Sequence, residues 1–250
     1  MPAMRQEDIW DEDAARRYDT PGTGMFAPEI VGPAVDRLVE LAGGGEVLEF
    51  AIGTGRIAVP LAARGVPVTG IELSSPMLGQ LRTKVDEGVV PVVLGNMAST
   101  RAPGQFSLVY LVFNTISNLM TQTDQVACFR NAARHLRPGG RFVIELWVPQ
   151  LRTLPPGQTG SVFATGPGHL GVNTFDVVAQ HVVSHHFDFG DGRQARLFRS
   201  PHRYIWPGEL DLMGQLAGFQ LESRHGGWSN EPFTAESSSH VSVYLLGTAS

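Results

Sequence analysis

Two glycines and a carboxylate have the residue types and spacing of a nucleotide-binding loop. Gly53 and Gly55 lie in the segment AIGTGR, where the missing side chains let the backbone turn sharply and approach a ligand closely. Glu72 follows Gly53 by 19 residues at the end of the next predicted strand, where a carboxylate can bind both ribose hydroxyls. Together they predict an adenosine-containing ligand at the carboxyl ends of parallel strands.

Glu49 bears on which adenosine ligand the loop holds. It lies inside the first predicted strand, four residues before Gly53. Its charge would repel a pyrophosphate, whereas a sulfonium and an ammonium group would be attracted. The spacing from Gly53 through Gly55 to Ala58 nevertheless satisfies the dinucleotide fingerprint, so an NAD-dependent oxidoreductase is an alternative at this point.

These residues need a sheet to position them. Apolar strands alternate with helices up to residue 147, which predicts parallel strands joined by right-handed crossovers and an α/β, doubly wound sheet with helices on both faces. The predicted strands are 46–50, 66–72, 89–94, 107–113 and 141–147, and the predicted helices are 27–42, 57–64 and 123–136.

The pattern changes after residue 147. Two alternating segments, 174–189 and 193–205, flank a turn sequence at 190–192, which predicts an antiparallel β hairpin inserted after the fifth strand. A helix at 207–217 and two strands at 219–225 and 240–246 would close the chain. We therefore predict one domain in four parts: an N-terminal helical or lid segment 1–44, a cofactor-binding core 45–150, the inserted hairpin 151–205 and a closing unit 206–250.

Composition narrows the functional classes. The formal charge is −5, and Lys84 is the only lysine, so a nucleic-acid partner is not expected. No segment approaches the roughly 18 apolar residues of a membrane helix, and residues 1–13 lack a signal-peptide pattern. The single cysteine, Cys128, is expected to pack in the core. A soluble, cytoplasmic protein is the expectation, and a homodimer is left open.

Four ordered segments resemble the class I S-adenosylmethionine-dependent methyltransferases. The segment 49–55 resembles motif I, acid-x-Gly-x-Gly-x-Gly, with Ala51 in place of the first glycine. The segment 72–77 resembles the second-strand motif, and 95–97 resembles the adenine-contacting segment, with Asn96 where aspartate is common. An amide oxygen can still accept a hydrogen bond from the adenine amino group. The segment 136–142 resembles the turn before the fifth strand.

The resemblance implies a fold and a cofactor. The sheet would have seven mostly parallel strands, the last of them antiparallel, and residues 240–246 suit that last strand. S-adenosylmethionine would be the methyl donor and S-adenosylhomocysteine the product. The implied cofactor-binding residues are Tyr18, Glu49, Ala51, Gly53, Gly55, Glu72, Leu73, Met77, Asn96, Met97 and Phe113.

Within the family, the chain is most similar to small-molecule enzymes such as the amino-sugar N,N-dimethyltransferases. The shared marks are Tyr18 in a lid-like segment, the sequence Glu-Leu-Trp at 145–147 and a β insertion after it. The implied function is in-line methyl transfer to a nitrogen or oxygen atom of a small-molecule acceptor. A non-catalytic module that binds the cofactor is a second alternative.

Candidate catalytic residues follow from this placement: Tyr18, Asn114, Glu145 and His181. A neutral amine needs no catalytic residue, whereas a hydroxyl acceptor would profit from a general base such as a histidine or a carboxylate. His181 and His185 share one face of a strand and His186 the other, and no metal site is predicted. Arg203, Tyr204 and His225 are expected to reach the acceptor, and His135 is expected to be solvated.

Overall fold

The computed structural model describes residues 9–190 and 195–247. Its central sheet has seven strands: β1 (Val47–Phe50), β2 (Val68–Glu72), β3 (Val92–Leu94), β4 (Phe106–Leu111), β5 (Leu136–Trp147), β10 (Phe219–His225) and β11 (Ser239–Leu246), where β6 to β9 belong to a second sheet described below. Across the central sheet the order is β10-β11-β5-β4-β1-β2-β3. The helices are α1 (Glu12–Tyr18), α2 (Pro28–Ala42), α3 (Ala58–Ala63), α4 (Ser75–Arg82), α5 (Gln122–His135) and α6 (Pro207–Leu216).

The central sheet confirms the mixed, mostly parallel architecture predicted from the sequence. Strands β1 to β5 pair in parallel, and the chain order reverses between β1 and β4, the switch point where α/β sheets bind ligands. Strand β11 is antiparallel to both β5 and β10. The carboxyl ends of β1, β2 and β4 therefore open on one edge.

Apolar residues cover both faces of this sheet. Leu48 and Val109 pack in one core with Phe129 of α5, whereas Val47 and Leu108 pack in the other core. The second core includes residues of α2, α3 and α4, so helices lie against both faces. Successive strand residues alternate between the two cores because strand side chains point alternately to opposite faces. Buried strands on both faces hold their carboxyl ends in a fixed position for a site.

The insertion is larger than the predicted hairpin. It is a four-stranded antiparallel sheet of β6 (Gly160–Gly166), β7 (His169–Asp176), β8 (His181–Asp188) and β9 (Arg196–Arg203), which we call the inserted sheet. The prediction of one strand over 174–189 was wrong, because Asp176 Oδ1 accepts hydrogen bonds from the backbone N–H groups of Val178 and Ala179 and turns the chain. The predicted turn at 190–192 lies largely outside the described residues.

A buried polar network fixes the inserted sheet to the core. The Arg203 guanidinium pairs with Glu209 at 2.8 Å and donates to the side-chain oxygens of Gln125 and Gln180. Tyr204 is buried beside it. The expectation that Arg203 and Tyr204 reach the acceptor was wrong, because these side chains hold the sheet in place instead. His225 likewise ends β10 in a backbone bridge to Pro232.

His135 is buried rather than solvated as expected. Its Nε2 accepts a hydrogen bond from the backbone N–H of Ala102, and its Nδ1 donates to the carbonyl of Asn131. Burial lowers the pKa of His135, which keeps the ring neutral and suited to both bonds. Cys128 is buried in the same core, as predicted. No helix in the described part of the chain is long and apolar enough to cross a membrane.

Candidate functional site

The glycine loop between β1 and α3 turns through three left-handed residues. Ala51, Gly53 and Gly55 have φ values of 51°, 58° and 82°. A Cβ at Gly55 would collide with Leu81 Cδ1, whereas a Cβ at Gly53 would make ordinary contacts with Met77 Cε at 3.5 Å and the Ala51 carbonyl oxygen at 3.9 Å. The absence of a side chain at Gly55 thus allows the loop to pack closely on α4. Gly53 leaves open space where a ligand can approach the backbone.

Glu72 is the polar centre of the loop. Its carboxylate accepts hydrogen bonds from the backbone N–H groups of Gly53 and Ser74, both at 2.7 Å. Burial raises the pKa of Glu72, and these backbone donors oppose that rise. Each carboxylate oxygen can accept a second bond, so Glu72 can bind both hydroxyls of a ribose while it holds the loop.

Glu49 lies deeper, beneath the loop. It is buried in β1 and accepts a hydrogen bond from the Tyr110 hydroxyl at 2.9 Å. Burial raises the pKa of Glu49 to about 8, although the Tyr110 bond and the Arg56 charge act in the opposite direction. A cationic ligand above the loop would favour the ionised form.

One cavity at the carboxyl edge brings most of the predicted cofactor residues together. Its walls include Tyr18, Ala51, Gly53, Glu72, Leu73, Met77, Asn96 and Met97. Asn96 reaches the cavity while its Oδ1 accepts from the Ala98 backbone N–H at 2.8 Å. Three residues that were predicted to bind the cofactor do not line this cavity. Glu49 and Gly55 support the loop, and the Phe113 ring is exposed.

Two aromatic residues of the N-terminal segment, Trp10 and Tyr18, contribute to the cavity wall. The Tyr18 ring stands edge-on between Trp10 and Phe26, at 5.6 and 5.8 Å. Three further contacts tie this segment to the loop region. Ser74 donates to the Trp10 carbonyl, Thr54 donates to Asp19 at 2.6 Å, and Lys84 pairs with Asp19.

Arg56 is a cation that the sequence analysis did not single out. Its guanidinium donates to the Met25 carbonyl at 3.1 Å and lies 5.0 Å from the centre of the Phe113 ring. It thereby joins the N-terminal segment to the end of β4. A guanidinium at this position can hold a carboxylate of a bound ligand, as a fork of N–H donors suits carboxylate geometry.

The ends of β4 and β5 lie close to Thr115 of the cavity wall, although Asn114 and Glu145 do not themselves line the cavity. Asn114 adopts a left-handed conformation and accepts from the Trp147 backbone N–H at 2.7 Å. Glu145 accepts from the Phe113 backbone N–H, also at 2.7 Å. Both candidate catalytic residues therefore brace the strand ends. Their remaining polar capacity is what they can offer to an acceptor.

His181 does not line the cavity. Its Nε2 donates to the Met120 carbonyl at 3.1 Å. His185 contacts the Thr174 hydroxyl at 3.0 Å, and His186 stacks among Phe163, His169 and Phe198. The described residues contain no group of three side chains arranged to hold a metal ion.

His202 contacts a residue of the cavity wall, and the sequence analysis missed it. Its Nδ1 contacts Asn118 Oδ1 at 3.1 Å, and Asn118 lines the cavity. Trp10, Thr115 and Leu119 line it as well and were also missed. Trp10 lies within the predicted N-terminal segment 1–44, so an aromatic residue near Tyr18 was a usable signal. Nothing local marks His202, because only the inserted sheet brings it to the site.

The residues present fit an S-adenosyl cofactor. The buried Glu72 carboxylate suits the hydroxyls of a ribose, and the open space at Gly53 lets a ligand lie close to the main chain. The Tyr18 ring in the cavity wall suits a sulfonium. Asn96 offers a polar group to the adenine ring of the cofactor, and Met97 offers it an apolar surface. The same cavity therefore brings together eight of the eleven residues that the motif resemblance implies.

Comparisons with known proteins agree with this geometry. Residues 47–140 match the family described as a methyltransferase domain. The chain is 27% identical to cypemycin N-terminal methyltransferase of Streptomyces sp over 94% of this chain and 96% of that protein. It is 31% identical to dTDP-3-amino-3,4,6-trideoxy-alpha-D-glucopyranose N,N-dimethyltransferase of Streptomyces venezuelae, over 72% of this chain and 78% of that protein.

A solved structure is similar over nearly the whole chain. The CcbJ methyltransferase from Streptomyces caelestis shares 36% identity at a TM-score of 0.82, with 97% of this chain and 98% of that chain covered. The likeness includes the inserted sheet as well as the core, since nearly every residue of both chains is covered.

Proposed function

Because the chain belongs to the S-adenosylmethionine-dependent methyltransferases, we propose that it methylates an amine nitrogen of a small-molecule acceptor. The observation that carries this proposal is the composition of the cavity wall. Among the described residues lining it, the titratable side chains are Glu72 and Tyr18. Neither is a suitable base for a hydroxyl acceptor, because Glu72 is committed to the loop and burial raises the pKa of Tyr18.

The residues of this chain would act by positioning. When bound, the cofactor supplies an activated methyl group, which passes to the acceptor by in-line displacement. Glu72 binds the ribose and Asn96 the adenine, and Tyr18 closes over the sulfonium end. The N-terminal segment excludes water, and the ends of β4 and β5 present the acceptor. Positioning of this kind can lower a barrier by roughly 7–11 kcal/mol.

The similar proteins support nitrogen over oxygen. One is an N-terminal methyltransferase and the other an N,N-dimethyltransferase of an amino sugar. An amine attacks as its neutral form and passes its proton to solvent after transfer. It therefore needs no base in the cavity wall.

The first experiment measures cofactor binding by calorimetry with S-adenosylhomocysteine and NAD. We expect S-adenosylhomocysteine to bind and NAD not to bind. Glu72→Gln keeps the side-chain shape but loses the charge and one acceptor oxygen, so it weakens binding at least about tenfold (~1.4 kcal/mol). The matched control is Glu46→Gln, an exposed carboxylate at the start of β1. NAD binding alone would overturn the assignment.

The second experiment identifies the accepting atom. Release of S-adenosylhomocysteine is measured with a dTDP-amino sugar, a peptide with a free N-terminal amine and a catechol. Turnover of an amine supports the proposal. Turnover of the catechol alone would contradict the proposal and indicate that the accepting atom is oxygen.

A further inference from the structure

Three polar side chains connect the inserted sheet to the cavity. Ser200 and His202 lie two residues apart on β9 and share one face of the sheet. The Ser200 hydroxyl contacts His202 Nε2 at 2.7 Å, and His202 Nδ1 contacts Asn118 Oδ1 at 3.1 Å. Asn118 itself lines the cavity beside the cofactor residues. The chain of contacts therefore ends at the site.

The hydrogen-bond directions in this chain follow from the chemistry of each atom. Asn118 Oδ1 can only accept, so His202 Nδ1 carries the proton and donates. A neutral imidazole has one N–H, so Nε2 accepts from the Ser200 hydroxyl. Burial lowers the pKa of His202 to about 4, which keeps the ring neutral at physiological pH. The Trp147 ring packs edge-on against it at 5.4 Å.

This arrangement determines what Asn118 offers to a ligand. Its oxygen is taken by His202, and within residues 9–190 and 195–247 no protein group accepts from its Nδ2. Two N–H donors therefore remain on a side chain in the cavity wall. Donors at this position bind an oxygen lone pair.

We propose that Ser200 and His202 are positioning residues that orient Asn118, and that the Asn118 amide donates to an oxygen of the acceptor next to the reacting nitrogen. The substrate class is then an amine with a neighbouring hydroxyl or carbonyl oxygen. The inference rests on the proposed function and adds a specificity determinant on the acceptor side.

The first test follows the relay itself by nitrogen-15 NMR, with and without S-adenosylhomocysteine. We expect His202 as the Nδ1–H tautomer, with no protonation above about pH 5 because its pKa is about 4. Ser200→Ala should shift the tautomer toward Nε2–H. A wild-type His202 that is Nε2–H or charged would overturn the proposal. This readout does not depend on turnover, so it is separable from failure of the methyltransferase assignment.

The second test uses two ring amines, D-glucosamine, which has neighbouring hydroxyls, and cyclohexylamine, which has none. In the protein saturated with S-adenosylhomocysteine, D-glucosamine should move the Asn118 side-chain amide resonances and cyclohexylamine should not. An equal response to both, or none to D-glucosamine, would overturn the oxygen contact.

Matched variants separate positioning from simple destabilisation. Asn118→Asp keeps an acceptor for His202 but loses both donors. His202→Asn places an N–H near the Nδ1 position, whereas His202→Gln places one near Nε2. We expect the D-glucosamine response to survive in His202→Asn and to be lost in the other two variants. Affinity for S-adenosylhomocysteine should change less than about twofold in the two His202 variants, whose substituted side chain lies outside the cavity lining. A response retained by Asn118→Asp would contradict the proposal.

Discussion

The cofactor side of the cavity and the side that we propose faces the acceptor, called the acceptor side below, are built in different ways. On the cofactor side, Glu72 bonds to backbone N–H groups of nearby loops, and apart from Trp10 and Tyr18 of the N-terminal segment the residues involved lie within 49–97. On the acceptor side, Asn118 and His202 meet although 84 residues separate them. The first side is a local motif, and the second exists only when the inserted sheet is docked.

The two sides should therefore be sensitive to different substitutions. Backbone contacts survive many side-chain changes but depend on glycine conformations. Side-chain contacts between distant elements depend on whatever holds those elements together. Five substitutions test this contrast, beginning with the largest expected effect.

The largest effect is expected at Arg203, which holds the inserted sheet to the core. Arg203→Met leaves the half-buried Glu209 without its cation, and because loss of one partner of a fully buried pair costs about 3–5 kcal/mol, that range is the upper bound expected for the loss of unfolding free energy. Chemical denaturation followed by circular dichroism measures it. Arg199→Met, an exposed position on the same strand, is the control. Equal stability of the two variants would show that the network does not anchor the sheet.

The next effect separates two glycines of the cofactor side. Gly55→Ala places a Cβ against Leu81 in a left-handed conformation, so we expect about 2–4 kcal/mol of destabilisation. Gly53→Ala has space and should lose only about 1–2 kcal/mol, but it intrudes where the cofactor approaches. Calorimetric affinity of the folded Gly53 variant should therefore fall more than its stability. The reverse ranking would exchange the roles of the two glycines.

The two sides also differ in how far the sequence predicts them. The loop, Glu72 and the strands of the central sheet follow local patterns, and the structure places eight of the predicted cofactor residues in one cavity. His202 could not be found because its role depends on a tertiary contact with Asn118. His181 was chosen from the same insertion, but its Nε2 is used by the Met120 carbonyl. His135 was expected to be solvated because it ends a helix beside a turn, but a residue at a helix end can still face the core.

A smaller effect concerns the pH dependence that Glu49 imposes. Between about pH 4.5 and 8 the unfolded chain has ionised this carboxyl while the native state keeps its proton. The native state then binds more protons, so the free energy of unfolding should fall as the pH rises through this window. Denaturation at several pH values should show that the slope is shallower in Glu49→Gln. The Glu46→Gln control should keep the wild-type slope.

The same carboxyl should couple to the cofactor side. A ligand ammonium above the loop lowers the pKa of Glu49, so binding releases a proton. Affinity for S-adenosylhomocysteine should rise as the pH approaches about 8, and by no more than tenfold per pH unit. Calorimetry in two buffers of different ionisation enthalpy detects the proton. A proton release that persists in Glu49→Gln would assign it to another group.

The smallest effect is expected at the single lysine. Lys84 pairs with Asp19 and donates to the Thr54 carbonyl, so it joins the N-terminal segment to the glycine loop. Because this pair is partly exposed, Lys84→Met should cost no more than about 1 kcal/mol and accelerate S-adenosylhomocysteine release about two- to fivefold. Stopped-flow tryptophan fluorescence follows it, since Trp10 lines the cavity. Arg64→Met, which breaks an exposed pair with Asp36, should leave the release rate unchanged.

The inserted sheet has a consequence for how such enzymes diversify. It leaves the core after Trp147 and returns before α6, and the Trp147 ring contacts His202 close to the point of return. Mutations within residues 160–203 can therefore reshape acceptor recognition while the adenosine-binding loop stays intact. Descendants of one ancestral chain could acquire new acceptors by drift in this segment alone, and exchange of the segment between relatives is a natural route for engineering.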